Sequence, residues 1–175
     1  MKGKLIVIEG ACDGIGKTTQ YNLLKEYLIK SGKKVWTHHF PTYNSKQGIL
    51  TEYYLNGDLG KPEELSPYLI NSIYAVDRAL TWNMELKEKY DEGCIILLDR
   101  YTTSSQIYQS SLIEDENDKK SFINYVNDYE YDKLGLKKPD KVIFLTANYD
   151  VVKNMRNKRT DNDGVKNDVY ERNDE

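Results

Sequence analysis

The chain has few residues of the kinds that mark secreted, membrane-spanning or nucleic-acid-binding proteins. Only two cysteines, Cys12 and Cys94, occur among 175 residues, and they form neither a metal-binding spacing nor a disulfide framework. No apolar run approaches the roughly 18 residues of a membrane span, and no export signal is present. The formal net charge of −3 provides no general attraction to nucleic acid. These absences predict reduced thiols, a cytoplasmic location, and neither membrane nor nucleic acid as a partner.

Short apolar runs alternate with helix-like segments along the chain. This alternation is typical of an α/β fold whose helices flank a parallel sheet. A length of 175 residues predicts a single domain, 1–175. The predicted strands cover Leu5 to Ile8, Val35 to Trp36, Ile95 to Leu98 and Val142 to Leu145.

Local signals mark several helix boundaries. Ser31-Gly32 ends the first predicted helix. Ser66-Pro67 begins a long helix that runs to about Lys89, since Ser favours the N-cap and Pro the first turn. The charged segment 114–118 predicts a solvated loop or a helix start.

The most informative motif lies between the first predicted strand and the first predicted helix. Glycines followed by Lys17-Thr18-Thr19 point backbone N–H groups and a helix N-terminus at one spot, where an anion is favoured. Lys17 is placed to reach β- and γ-phosphates, and the Thr18 hydroxyl to hold Mg²⁺. The alternative is a simple helix cap. The predicted phosphate loop comprises Gly10, Asp13, Gly14, Ile15, Gly16, Lys17, Thr18 and Thr19.

A second chemical site is predicted where the strand Ile95 to Leu98 ends in Asp99-Arg100. Acids at the carboxyl ends of parallel strands face the ligand crevice of such a sheet. Asp99 is therefore predicted to orient Mg²⁺ through water, and Arg100 to bind a substrate phosphate. The alternative is that Asp99 and Arg100 only pair with each other.

Several motifs in register together resemble the thymidylate kinase family. They are Glu9-Gly10, Asp13-Gly14, Gly16-Lys17-Thr18-Thr19, Phe40-Pro41, Tyr74-Ala75-Val76-Asp77-Arg78, Asp99-Arg100-Tyr101, Ser104, Tyr129-Glu130 and Leu134-Gly135-Leu136. The resemblance runs from about Lys4 to Arg159. It implies a three-layer P-loop NTPase fold with a C-terminal lid, transfer of a phosphoryl group from ATP to dTMP with Mg²⁺ as cofactor, and a homodimer.

The resemblance also assigns substrate roles. It implies that Asp13 reaches the acceptor sugar and phosphate, that Tyr74 stacks on thymine, and that Arg78 binds a thymine carbonyl. Arg100 then binds the monophosphate and Ser104 the imide edge. Tyr74 alone is equally explained as a core aromatic. The full set expected around dTMP is Asp13, Phe40, Pro41, Tyr43, Tyr74, Arg78, Arg100, Ser104 and Tyr108.

Three features depart from the family pattern. Ala11 occupies the place of the first loop glycine, which indicates one extra residue in the loop. Thr42-Tyr43 replaces an arginine that many members carry there, and Tyr43 is expected to contact the nucleotide instead. Because Gly14 stands where some members have a loop arginine, the lid at about 156–175 must supply one, and Arg156 and Arg159 are the expected residues.

The residues after 159 are polar, without the helix, strand and final helix that the family normally has there. The sequence is therefore expected to be truncated or incomplete, and the alternative is a minimal variant that ends at its lid. A deoxynucleoside kinase and a GTPase-like switch remain as alternative functions. The Tyr74, Arg78 and Ser104 set disfavours the first, and the lack of an Asn-Lys-x-Asp motif disfavours the second.

Overall fold

The computed structural model describes residues 2–11 and 14–148, which form two compact units. Within the described residues, unit 1 comprises 2–38, 89–100 and 139–148. Unit 2 comprises 39–88 and 101–138. The expectation of one domain over 1–175 stays a prediction. The expected lid at about 156–175 lies outside the described residues and stays a prediction as well.

A four-stranded parallel sheet organises unit 1, and it confirms the predicted α/β class. The order is β2-β3-β1-β4, so β1 lies between two parallel neighbours. Its register places Ile8 beside Asp99 of β3. Leu5, Val7 and Ile8 are buried because β1 is central. The strands are β1 (Lys4–Gly10), β2 (Val35–His39), β3 (Ile95–Asp99) and β4 (Lys141–Leu145), and all four predicted strands are confirmed.

Helix α1 (Lys17–Lys30) follows β1 and packs against β1 and β3. Gly16 is its N-cap in the left-handed conformation. Ser31 is the C-cap, and Gly32 next to it has a φ of 72°. The helix therefore ends at the Ser31-Gly32 signal, as predicted.

Helices and short helical turns account for most of unit 2, and α4 continues from it into unit 1. The helices are α2 (Ile49–Asn56), α3 (Pro67–Thr81), α4 (Lys87–Asp91), α5 (Thr102–Tyr108) and α6 (Glu116–Asn127). Two 3₁₀ turns cover Pro62–Glu64 and Ser110–Leu112, and two π-helical turns cover Trp82–Leu86 and Asp128–Lys133.

The start signals of α3 and α6 have the expected capping chemistry. The Ser66 hydroxyl accepts a hydrogen bond from the Tyr68 N–H at 3.3 Å, and Pro67 occupies the first turn. Through the π-helical turn, α3 continues into α4 and ends at Asp91, close to the predicted end. Asp115 caps α6, so the charged segment is a helix start.

Helix α2 was not predicted, because its apolar residues do not lie on one face. Ile49, Leu50 and Tyr53 are exposed, whereas Tyr54 and Leu55 are buried. The buried pair packs with Ile70 in a small core cluster. No helix within the described ranges is both long and apolar enough to cross a bilayer.

Candidate active site

The predicted phosphate loop joins β1 to α1 in unit 1. Gly10 is the last residue of β1, and Gly14 and Gly16 both have a φ of 84°, which only glycine adopts without strain. The loop therefore delivers the chain directly to the N-terminus of α1, where Lys17 is the first residue. Ile15 is half-buried, while Thr18 and Thr19 are exposed on the first turn. Asp13 lies outside the described residues.

Lys17 forms an ion pair with Asp99 at the end of β3. Their side chains are 10% and 11% exposed, so both charges are largely withdrawn from solvent. Removal of either partner would leave the other charge with an uncompensated desolvation cost. The structure thus brings together the residues predicted to bind a phosphate and to orient Mg²⁺.

Two protein oxygens near the phosphate loop suit a Mg²⁺ ion whose other ligands would be phosphate and water. Mg²⁺ usually takes one or two protein oxygens and completes its shell with phosphates and water. The Thr18 hydroxyl and the Asp99 carboxylate are such oxygens. Across the described part of the chain, no group of three or more His, Cys, Asp or Glu residues forms a metal cage.

Arg100 follows Asp99 and is held by a different acid. Its φ of 67° turns the chain sharply, a conformation that costs a non-glycine residue roughly 1–2 kcal/mol. The Nη1 group lies 3.4 Å from Oε1 of Glu9, a fully buried carboxylate that also accepts the Gly10 N–H at 3.0 Å. Asp99 and Arg100 therefore have separate partners in Lys17 and Glu9, in contrast to the alternative that they only pair with each other.

In unit 2, α3 holds the segment that follows Phe40. The Phe40–Pro41 peptide bond is cis, and the Phe40 ring packs 5.8 Å from that of Tyr101. The Thr42 N–H donates to the buried Asp77 carboxylate at 2.8 Å. Tyr43 is 49% exposed and stacks on His39 with ring centroids 6.0 Å apart, so much of its surface is available.

Arg78 is the centre of a buried polar network in unit 2. Its Nε and Nη2 groups each donate to one oxygen of Glu130 at 2.7 Å. Nη2 also donates to the Ser105 hydroxyl at 2.8 Å, and Nη1 donates to the Tyr101 carbonyl at 3.5 Å. An arginine has five N–H donors. Within the described residues, one Nη1 hydrogen is therefore left for an acceptor.

Tyr74 has the core contacts of one of its two predicted roles, and its stacking on thymine stays a prediction. Its half-buried ring packs against the core cluster and meets Tyr54 edge-on at 6.0 Å. The Arg78 guanidinium carbon lies 5.9 Å from the ring centroid. Ser104 and Tyr108 are half-buried on α5, but it is Ser105 that bonds to Arg78.

Two tyrosines beside this network have raised pKa values. Burial is the main reason that the pKa of Tyr131 rises to about 12, and the Glu130 charge adds to it. Burial likewise raises the pKa of Tyr101 well above its usual value. Both phenols are therefore neutral near pH 7.

Four residues outside the predicted site set hold its members or their neighbours in place. Glu9, Asp77, Ser105 and Glu130 are buried and bond to predicted site residues or their neighbours. Glu9, Asp77 and Glu130 lie inside motifs already noted, and Ser105 follows the predicted site residue Ser104. Arg156 and Arg159 lie outside the described residues, and their roles stay predictions.

Comparisons with known proteins agree on one family. The family model for thymidylate kinase matches residues 8–174. Thymidylate kinase of Mycobacterium tuberculosis is 31% identical over 96% of this chain and 78% of its own length. That of Danio rerio is 31% identical over 87% of this chain and 65% of its own length. That of Thermoanaerobacter sp. is 39% identical over 62% of this chain.

A solved structure of thymidylate kinase from Candida albicans is also similar, with a TM-score of 0.68 and 25% identity. The match covers 97% of this chain and 71% of that one. Against the Thermoanaerobacter relative, the chain spans about half of the relative's length, 51%. The family match covers nearly the whole chain and includes the phosphate loop, Asp99-Arg100 and Arg78. The chain belongs to the thymidylate kinase family.

Proposed function

We propose that the chain transfers the γ-phosphoryl group of ATP to dTMP, producing dTDP and ADP with Mg²⁺ as the cofactor. The observation that carries this proposal is the Lys17–Asp99 pair beside the Gly14 and Gly16 turn, in a member of the thymidylate kinase family. The fold alone would support many nucleotide-binding functions, so it is these side chains that favour phosphoryl transfer.

The phosphate loop supplies the binding chemistry for ATP. The N-terminus of α1 and the Lys17 ammonium both favour the anionic β- and γ-phosphates. Thr18 and Asp99 would hold Mg²⁺, which would neutralise phosphate charge when bound. Once phosphate takes over as the partner of Lys17, the Asp99 carboxylate becomes available to orient the metal.

Arg100 is the proposed ligand of the acceptor phosphate. An oxygen of dTMP attacks the γ-phosphorus, and the bond from phosphorus to the β–γ bridging oxygen breaks, so ADP leaves with that electron pair. Because the attacking oxygen is already anionic, no protein nucleophile or general base is needed. Arg156 and Arg159 are the proposed cations for the transferring group.

The thymine base is assigned to unit 2. The remaining Nη1 hydrogen of Arg78 fits a carbonyl oxygen, because a guanidinium can donate but never accept. The exposed part of the Tyr74 ring offers a π-face for stacking. Ser104, Tyr108 and Tyr43 are the further proposed contacts.

A panel of acceptors tests the function. ADP release from Mg-ATP is measured with dTMP, dUMP, dCMP, AMP, thymidine and no acceptor. Turnover that requires dTMP or its close analogue dUMP supports the proposal. Preferred turnover of thymidine would replace it with a deoxynucleoside kinase, and acceptor-independent hydrolysis with a nucleotide switch.

We also propose that the chain forms a homodimer, as the family resemblance implies. Helix α3 and the turn after it expose a row of apolar side chains, and exposed apolar surface of this kind can form an interface between subunits. The row consists of Leu69, Val76, Leu80 and Met84, between 38% and 65% exposed. Light scattering tests this proposal: Val76→Glu should convert a dimer to a monomer, whereas a monomeric wild type would contradict it. The cytoplasmic location stays a prediction.

A further inference from the structure

We propose that Glu130 is a positioning residue that fixes Arg78 for recognition of a 4-keto pyrimidine. This inference rests on the proposed function, because it concerns how the base of the acceptor is selected. Glu130 lies 52 positions from Arg78 in the sequence. Its proposed role is to contact the arginine and not the substrate.

The contact between the two side chains is bidentate. Glu130 accepts from Nε and Nη2 of Arg78, both at 2.7 Å, which fixes the plane of the guanidinium. The hydroxyl of Thr102 donates to the same Glu130 at 2.8 Å, so the carboxylate is itself held in place. Two further acceptors, the Ser105 hydroxyl and the Tyr101 carbonyl, leave one Nη1 hydrogen for a ligand.

Burial makes this arrangement rigid. The side chains of Arg78 and Glu130 are 3% and 0% exposed. Neither charge can be moved away from the other without a large desolvation cost, so Arg78 has little freedom to turn. The remaining N–H consequently has a fixed direction. It can donate to a keto oxygen, whereas an amino group at the same place would bring two donors together.

The selective consequence is discrimination between dTMP and dCMP. A site whose donor is fixed rejects an analogue that cannot satisfy it, because the donor stays unpaired. If Arg78 were loosely held, it could turn aside and tolerate the amino group. Glu130 therefore contributes to selectivity through Arg78, without contact with the base.

Glu130→Gln is the direct test. The amide keeps the shape but replaces one acceptor oxygen with a donor, which breaks the bidentate contact. The matched control is Glu116→Gln on α6. Glu116 forms an ion pair of the same 2.7 Å length with Lys119, but the two side chains are 74% and 31% exposed, respectively. Both variants change one carboxylate to an amide, so only the buried pair should alter selectivity.

The readout is the ratio of kcat/KM for dTMP to that for dCMP, in which the fraction of active enzyme cancels. Glu130→Gln should lower the ratio by about tenfold or more, mainly through KM for dTMP, with KM for Mg-ATP within about twofold. Glu116→Gln should leave it unchanged. In an Arg78→Ala background, Glu130→Gln should have no further effect on the ratio. An unchanged ratio in the single variant, or an equal drop in both backgrounds, overturns the inference.

Thr102→Val gives a second test if Glu130→Gln does not fold, because the ion pair stays intact. It should lower the ratio by about threefold, and no change would overturn the inference. Calorimetric Kd values for dTMP and dCMP separate this inference from the proposed function. If the wild-type chain shows no turnover but its binding preference still depends on Thr102 or Glu130, only the proposed function is overturned. If it binds neither nucleotide, the proposed function and this inference are both overturned.

Discussion

Lys17 at the start of α1 and Asp99 at the end of β3 form an ion pair. Each side chain compensates the charge of the other where neither is well solvated. In the proposed reaction, phosphate would replace Asp99 as the partner of Lys17, and the metal and its water would replace Lys17 as the partner of Asp99. This exchange would leave the charges of both side chains compensated.

The role of Lys17 is tested by its removal. Lys17→Ala should abolish turnover, because no other described side chain is placed to bind the β- and γ-phosphates from the first residue of α1. Circular dichroism should still show a folded chain. Lys30→Ala, at the other end of α1 with an exposed partner in Glu26, should retain wild-type rates. An active Lys17→Ala enzyme would remove the phosphate-loop assignment.

Substitution of Arg100 should separate the two substrates. Arg100→Ala should raise KM for dTMP or lower turnover by about tenfold or more, since a charge-assisted contact contributes about 1.5–3 kcal/mol. KM for Mg-ATP should hold. Arg100→Lys should recover only part of the loss, because lysine cannot form a bidentate contact. Steady-state kinetics that match the wild type would exclude Arg100 from the acceptor site.

The Asp77 carboxylate should stabilise unit 2. It accepts the Thr42 N–H at 2.8 Å and the Thr81 hydroxyl at 3.3 Å while 1% exposed. Asp77→Ala leaves both donors without this acceptor and should reduce the free energy of unfolding by about 1–3 kcal/mol in urea titrations. Asp58→Ala at an exposed position should change it by less than about 0.5 kcal/mol. Equal effects of the two variants would show that the buried carboxylate adds no stability.

The raised pKa of Tyr131 predicts a loss of stability at high pH. In the unfolded chain this phenol titrates near 10, whereas in the folded chain burial raises its pKa to about 12. Between these values the unfolded state has released a proton that the folded state keeps, so the free energy of unfolding falls as pH rises. The contribution is fully present below pH 10 and is lost progressively up to about pH 12.

Tyr131→Phe cannot titrate, so it should show a shallower fall than the wild type over the same window. Urea titrations at several pH values between 9 and 12 measure both slopes. The difference between the curves should reach about 2 kcal/mol. Parallel curves would mean that Tyr131 titrates alike in both states.

Local patterns account for the parts of the structure that the sequence predicted. Strand β1, the glycines before Lys17 and the Ser66 cap each depend on residues within a few positions of one another, and all are confirmed. The partner of Arg78 could not be found this way, because Glu130 lies 52 residues away and only the folding of unit 2 brings the two together. The same reason hid the pairing of Lys17 with Asp99, 82 residues apart, although both residues were predicted site residues.

Helix α2 shows a different limit. Its exposed Ile49, Leu50 and Tyr53 remove the polar face on which helix prediction depends. Exposed apolar side chains on α3 did not prevent its prediction, because the Ser66-Pro67 signal marked the start of that helix independently. Sequence patterns therefore predicted those elements that are marked by capping residues or by regular apolar spacing within the element itself.

The most direct test of the central claim follows the γ-phosphoryl group itself. ATP carrying a label on that group is incubated with Mg²⁺, dTMP and the chain, and the products are separated. The account predicts that the label appears in dTDP, that its appearance requires dTMP, and that Lys17→Ala produces none. Label found only in inorganic phosphate, or in dTMP formed when thymidine is supplied instead, would contradict it.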